Sequence, residues 1–173
     1  MCRNQDILLG SLLLLGSLSF FGCAQKEPQA TVSLAQPIES RLEWSLPDGW
    51  EVRWTGDGAR YASWATPNGT EVIITRFPGH LGSDLANINR WRGQLGLLET
   101  DEGVMELIET KANPARFAVV TSPETTKAIA GAMLEVEGST FAFKVLDEKS
   151  KVEAILPDFR QAIASLHYTG HNH

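Results

Sequence analysis

Cysteine is absent from the chain after position 23. The two cysteines of the sequence are Cys2 and Cys23, both close to its N-terminus. The rest of the chain can therefore form no disulfide, and it has no thiol that could act as a nucleophile or a metal ligand. This absence excludes a small disulfide-stapled fold, thiol-dependent catalysis and a cysteine-based metal centre.

Positive charge is scarce and dispersed. The 173 residues include 15 Lys and Arg against 21 Asp and Glu, a formal net charge of -6, and no run of basic residues occurs. Binding to phosphate backbones or to an anionic membrane surface needs clustered Lys and Arg. The composition therefore predicts no nucleic-acid partner. With 43% hydrophobic residues, the chain can fill one core and form one domain.

Motifs of nucleophilic and nucleotide-dependent catalysis are also missing. The sequence contains no Gly-x-Ser-x-Gly, and no Gly-Lys-Ser/Thr follows a glycine-rich loop. A catalytic triad would have to use His80 by elimination, because the other histidines lie at the C-terminus. The acidic stretch around Glu99, Asp101 and Glu102 favours a solvated loop over a catalytic carboxylate pair. We predict no catalytic residue and no cofactor.

The C-terminus carries the remaining histidines, His167, His171 and His173. Their imidazole nitrogens could bind zinc, copper or nickel. A flexible tail, however, has no second shell of residues to orient such ligands. We expect a disordered tail over residues 169–173 without a metal site, and metal handling by the tail stays an alternative.

Long apolar runs are confined to the N-terminus. A short polar head with Arg3 precedes an uncharged, mostly apolar run from Ile7 to Gly22. This layout is typical of an export signal, and the run is short for a membrane-spanning helix. We predict a signal peptide over residues 1–22 and a domain that lies outside the cytoplasm.

The end of this run, "SFFGC", resembles a bacterial lipobox, in which the cysteine becomes the first mature residue and carries a lipid. Phe20 and Phe21 stand where that pattern has small residues, so an uncleaved anchor and cleavage by the ordinary signal peptidase stay open. The resemblance implies lipidation of Cys23 and, with Ala24 after it, the outer membrane if the organism has one. Residues 23–40 then form the lipidated cysteine and a tether of about 50 Å when extended.

Alternating patterns and turn residues indicate an antiparallel sheet. "RLEWSL" and "WEVRW" alternate in polarity on either side of Pro47-Asp48-Gly49. Three further turns, at Pro67-Asn68-Gly69, Asn113-Pro114 and Gly138, separate pairs of strand-like segments. Helical patterns occur at residues 84–96 and at the C-terminus. The predicted fold is α+β, an antiparallel sheet of hairpins with one central and one C-terminal helix packed on it, in a single domain over residues 41–168.

The central helix carries a polar stripe in the stretch "NINRWRGQLGL". On a helical projection, Asn87, Arg90 and Gln94 lie on one side, opposite the apolar residues. We predict that this exposed stripe is the binding surface, although such a stripe is more often simply a solvated face. Arg92 and Asn89 fall on or beside the apolar face. We predict that both are partly buried structural residues, with Arg92 bound to nearby carbonyl groups or a carboxylate.

The loop "FPGHLGSD" leads into the same helix. Its glycines allow close approach of the backbone, and a helix N-terminus favours anions. His80 is therefore a further binding candidate. A deep pocket lined by His80 and a carboxylate would favour a small hydrolase, and a flat polar surface would favour a binding module.

Tryptophan is the aromatic residue whose placement matters most. Most of the five tryptophans fall on inward-facing positions, and Trp64 is the expected exception if it lies opposite the inward face of its strand. The five are Trp44, Trp50, Trp54, Trp64 and Trp91.

Two resemblances follow from these motifs. "W-x-L-P-x-G-W" at Trp44 to Trp50, "LANINRWRGQLGL" and "STFAFK" together resemble a group of small bacterial lipoproteins, which implies no particular activity. The element order resembles, more loosely, the PsbP-like α/β/α sandwich, which implies a non-enzymatic accessory or binding module. The expected function is a lipid-anchored extracytoplasmic module of the cell envelope, bound to the membrane and to an envelope protein. The alternative is a small extracytoplasmic hydrolase with its site near the "FPGHLG" loop.

Overall fold

The computed structural model describes residues 41–56 and 58–169. The predicted signal peptide (1–22), Cys23, the tether (23–40), and His171 and His173 lie outside the described residues. Within the described ranges, no helix is both long and apolar enough to cross a membrane.

Among the described residues, nine strands form one large sheet and one small ladder. The large sheet has the order β2-β3-β4-β8-β7-β6-β5, and every neighbouring pair in it is antiparallel. The strands β1 and β9 pair separately with each other. In chain order the strands are β1 Arg41–Glu43, β2 Glu51–Thr55, β3 Arg60–Ala65, β4 Glu71–Pro78, β5 Glu106–Ile108, β6 Ala115–Val120, β7 Lys127–Val136, β8 Ser139–Glu148 and β9 His167–Thr169.

Three predicted hairpins are confirmed at the predicted turns. The turn between β3 and β4 has Gly69 at a φ of 81°. The turn between β7 and β8 has Glu137 and Gly138 at φ values of 45° and 69°. Two successive positive φ angles give the backbone twist that a tight hairpin needs. The third hairpin, β5–β6, turns at Asn113-Pro114.

The central helix, α1 (Asp84–Gln94), packs on one face of the sheet. It begins at Ser83, whose side-chain oxygen accepts a hydrogen bond from the Ala86 N–H at 3.3 Å. Ile88 and Trp91 are its buried apolar residues. They belong to a cluster with four buried apolar residues from the sheet and from the segment before β5: Met105, Val120, Ile129 and Met133.

The C-terminal helix, α2 (Lys149–Ala164), covers the opposite face. Phe143 of β8 packs in the cluster on the α2 side, whereas the next residue back, Ala142, packs on the α1 side, and adjacent strand residues point to opposite faces. The α2 side holds the larger core. Its largest fully buried side chains are Trp64, Phe117, Phe143 and Phe159.

The start of α2 differs from the sequence pattern. Ser150 and Glu153 fit a capping box, but the helix already begins at Lys149, and Glu148 at the N-cap makes no side-chain capping bond. The Asp147 carboxylate instead accepts a hydrogen bond from the Glu148 N–H at 2.7 Å. The helix continues through Pro157.

The fold prediction is confirmed: the domain is α+β, with two helices on a large antiparallel sheet of hairpins. One detail at its end differs from the expectation. Thr169, assigned from the sequence to a disordered tail, pairs with Arg41 in the β1–β9 ladder. His167 lies in the same ladder, where its Nε2 is 2.8 Å from Glu43 Oε2.

Candidate functional site

A chain of four ionisable side chains surrounds the start of α1. Arg116 on β6 lies at its centre, with its side chain 18% exposed. Its Nη1 is 2.9 Å from Asp84 Oδ1, and its Nη2 is 2.6 Å from Glu135 Oε1. His80 Nδ1 is 2.6 Å from the same Glu135 oxygen. Arg116 thus connects the loop before α1 and the first turn of α1 to β6 and β7.

This chain of ionisable side chains fixes the loop to the sheet. Arg116 Nη1 also donates to the Gly82 carbonyl at 3.3 Å, and Asp84 Oδ2 accepts from the Met105 N–H at 3.2 Å. The side chains of His80 and Glu135 are 57% and 43% exposed. A carboxylate does lie beside His80, but both groups are at the surface rather than in a deep pocket. Because Glu135 already accepts from Arg116, the arrangement favours docking of the loop over hydrolysis.

Asn87 is buried, so the prediction that it lies on an exposed stripe is wrong. Its exposed fraction is 1%, because the loop at residues 81–83 folds over this side of the helix. The Asn87 amide nitrogen donates to the carbonyls of Leu81 at 3.1 Å and Ser83 at 2.9 Å. Its Oδ1 accepts from Arg90 Nη1 at 2.6 Å. The hydrogen-bonding groups of Asn87 are therefore used within the domain.

Asn89 and Arg92 are half-buried and bind the chain that follows α1. Asn89 exchanges two hydrogen bonds with the Thr100 backbone, donating from Nδ2 at 3.0 Å and accepting at Oδ1 at 2.9 Å. Arg92 donates from Nε to the Leu98 carbonyl at 2.7 Å. Both side chains thus satisfy backbone groups of an irregular segment, which is the structural task that the sequence suggests for them.

Arg90 and Gln94 are the exposed members of the predicted stripe. They lie one turn apart on the same side of α1. Gln94 Oε1 accepts from Lys144 Nζ at 3.0 Å, so this side of the helix borders β8. Arg90 and Gln94 therefore stand beside the sheet surface that continues outward from Lys144, and the residues of that surface decide what could bind there.

A continuous row of paired residues crosses the sheet from beneath α1 to the outer strand. Each residue of the row is the direct partner of the next on the neighbouring strand, so their side chains share the α1 face. The row runs Gly131, Lys144, Ile73, Ser63 and Trp54, on β7, β8, β4, β3 and β2. From Lys144 to Trp54 it spans three strand spacings, about 14 Å.

The helix covers the inner end of this row, and the outer end is exposed. Trp91 of α1 lies on Gly131, whereas Trp54, at the outer end, is 43% exposed. The Arg60 guanidinium lies 5.8 Å from the Trp54 ring centroid. We call this surface the shelf: its floor is Ile73 and Trp54, with the buried Ser63 between them, and its wall is Arg90, Gln94 and Lys144.

The exposed tryptophan differs from the one expected. Trp64 is 0% exposed, whereas Trp54, assigned from its alternation to the core, is half-exposed. All five residues of the outer strand β2 are exposed, and a bulge between Val52 and Trp54 determines the face on which Trp54 lies. Val52 pairs with Trp64, but Trp54 pairs with Ser63, so the bulge moves Trp54 to the other face. The sequence carries no turn or glycine signal at Arg53 that would reveal the bulge.

Comparisons with known proteins give distant similarity to solved structures. No family model matches the chain. No curated protein matches it either. Similar solved structures include a Bacteroides thetaiotaomicron protein at 14% identity and a TM-score of 0.45, over 76% of this chain but only 46% of that one. They also include PsbP (CyanoP) from Synechocystis, at 12% identity and a TM-score of 0.46, over 74% of this chain and 86% of that one.

A third solved structure is LpqN of Mycobacterium tuberculosis, described as involved in cell envelope biogenesis. It is 14% identical, with a TM-score of 0.45, over 79% of this chain and 87% of that one. PsbP is thus among the proteins to which the chain is similar.

Proposed function

We propose that the protein is an extracytoplasmic binding or accessory module of the cell envelope, held at the membrane by a lipid on Cys23. The module presents the shelf to an envelope protein. The observation that carries this proposal is the half-exposed Trp54, placed by a bulge on the part of the α1 face beyond the helix.

The N-terminus supports the location. An uncharged, mostly apolar run from Ile7 to Gly22 is followed directly by Cys23, the arrangement of an exported lipoprotein. A tether of residues 23–40 would let the domain reorient at the membrane surface. Such a geometry suits a domain that meets its partner in the envelope.

The composition of the shelf supports a protein as the partner. Tryptophan and arginine are the residues most enriched among the energetically dominant contacts of protein interfaces. The shelf has an aromatic residue and Ile73 in its floor, and hydrogen-bonding side chains such as Arg90 and Gln94 along one wall. An apolar centre beside a polar rim is the usual arrangement of an interface that forms and dissociates.

The test compares two exposed apolar residues of the same strand. Trp54 and Val52 are 43% and 45% exposed, but the bulge places them on opposite faces. Full-length protein would be used to capture partners from detergent-solubilised envelopes, and the affinity of each purified partner would then be measured. We expect Trp54→Ala to weaken binding at least about tenfold and Val52→Ala to leave it unchanged. A partner that binds both variants equally, or no partner at all, would contradict the shelf as the binding surface.

A further inference from the structure

The outer strands of the sheet leave part of β6 without a neighbour. The short strand β5 pairs with β6 only through Phe117, Arg116 and Ala115. On its inner side β6 continues to pair with β7 up to Val120. In the part of the chain that the structure describes, no strand pairs with the outer side of residues 118–120.

This open edge forms the floor of a groove. The groove has a volume of about 280 Å³ and contains β6 residues 117–120 in its lining. Ile88 of α1 and Val104 of the segment before β5 line it as well. At Glu106 the chain joins the sheet edge, but before that residue it diverges, and the groove is the space left between this segment and β6.

One part of the groove lining carries a fixed pair of charges. Arg160 of α2 donates from Nη1 to Glu106 Oε1 at 2.8 Å. Its guanidinium also stacks on the Phe117 ring, 4.2 Å from the centroid. The hydrogen bond from Arg160 holds the pKa of the Glu106 carboxyl below its ordinary value. The pair is thus ordered by contacts within the protein and offers both charges at one place in the groove.

The backbone chemistry of the edge selects the kind of ligand. In a strand, the N–H and C=O groups of alternate residues point to the same side, so residues 118–120 direct at least one such pair of groups into the groove. An extended polypeptide satisfies these groups by adding a strand to the sheet. A purely apolar small molecule would displace water from them and leave them without hydrogen bonds, which is costly.

We infer that the groove binds an extended peptide segment of a partner protein, which pairs with residues 118–120 as an added strand. An apolar side chain of the peptide enters the recess between Ile88, Val104 and Val120. The Glu106–Arg160 pair orients the peptide. A second copy of the chain is a poorer occupant, because its equivalent edge is recessed in the same way and two recessed edges cannot meet. This site lies on the β6 side of α1, whereas the shelf lies on the β8 side, so neither inference depends on the other.

A peptide library displayed on phage provides the probe. Full-length protein in detergent micelles would be panned with random linear peptides, and one enriched peptide would be synthesised. Val104 and Leu98 are both 87% exposed, yet only Val104 lines the groove. We expect Val104→Asp to weaken binding of the peptide about tenfold and Leu98→Asp to leave its affinity unchanged. Circular dichroism would show that both variants are folded.

Methylation of the peptide backbone distinguishes strand addition from recognition of side chains alone. Replacing each peptide N–H in turn by N–CH₃ removes one hydrogen-bond donor. We expect a loss of about tenfold at alternate positions, and little change between them. Loss without this alternation would overturn the proposal, as would failure to enrich any peptide or equal binding to Val104→Asp. Self-association of the wild type that Val104→Asp abolishes would instead identify a second copy as the occupant and also overturn it.

Discussion

The indole of Trp91 lies directly on the backbone of Gly131. A Cβ atom added to Gly131 would come within 2.7 Å of Trp91 Cζ2, closer than non-bonded carbon atoms approach. Gly131 is on β7 and Trp91 is on α1, so the missing side chain sets how closely the helix packs on the sheet. Gly131 is also the inner end of the row of paired residues whose outer end is Trp54.

Gly131→Ala tests this close approach. The added methyl group must displace the Trp91 ring or push α1 away from the sheet, so we expect the free energy of unfolding to fall by about 1–3 kcal/mol. Chemical denaturation monitored by tryptophan fluorescence would measure the change. Gly93→Ala is the matched control, because Gly93 lies in α1 and an added Cβ there meets no atom within 4 Å. That variant should be stabilised by about 0.5–1 kcal/mol through helix propensity, and destabilisation of similar size in both would contradict the packing argument.

Asn87→Ala tests the role of the buried amide. The change removes the donors to the Leu81 and Ser83 carbonyls and the acceptor of Arg90. We expect a loss of about 1–3 kcal/mol in the free energy of unfolding, because the hydrogen bonds of a buried amide side chain are lost. The exposed Gln94 bonds to Lys144 only at the surface, and Gln94→Ala should change stability by no more than about 0.5 kcal/mol. If both variants lost the same small amount of stability, the burial of Asn87 would be contradicted.

Local chemistry explains why the hairpins and helices could be predicted. The turn at Gly69 and the turn at Gly138 require positive φ angles, and glycine adopts them without strain. Ser83 is likewise a local signal, because an N-cap acts on the helix that follows directly. These elements depend on residues within one or two turns of each other, which the sequence displays side by side.

Other parts of the site depend on distant partners and could not be predicted. The bulge that places Trp54 on the α1 face depends on how β2 pairs with β3. The burial of Asn87 depends on the path of residues 81–83. Arg116 on β6 helps to fix this path by binding Asp84, although the two residues are 32 positions apart in the sequence. The open edge of β6 exists because β5 is short. In each case the deciding contact is tertiary, and no spacing in the sequence encodes it.

Asp147 should make stability depend on pH. The hydrogen bond from the Glu148 N–H is the main cause that lowers the pKa of Asp147 in the folded protein, assisted by the Thr70 hydroxyl and Lys151. A lowered folded pKa adds stability that is present above the ordinary aspartate pKa, about 4, and is lost as the pH falls through the folded value. Asp147→Asn should therefore reduce the free energy of unfolding at pH 7, by about 1 kcal/mol, and the difference from wild type should shrink on acidification.

Denaturation curves measured from neutral to acidic pH would test this dependence. Asp158→Asn is the control, because Asp158 is an exposed residue of α2 and its replacement removes the same charge. We expect that variant to lie within about 0.5 kcal/mol of wild type at pH 7. A constant difference between Asp147→Asn and wild type at every pH would show that the carboxylate charge is not what stabilises the start of α2.

Cys23→Ser tests the membrane anchor that the proposed function requires. The apolar run from Ile7 to Gly22 is short for a spanning helix, so membrane attachment after processing should depend on the lipid carried by Cys23. We expect the variant to leave the membrane fraction, as judged by fractionation and immunoblotting, and to lose the mass of the lipid in mass spectrometry of the protein. Continued retention of an unlipidated variant would mean that the apolar run is itself the anchor. Residues 23–40 would then still separate the proposed module from its anchor.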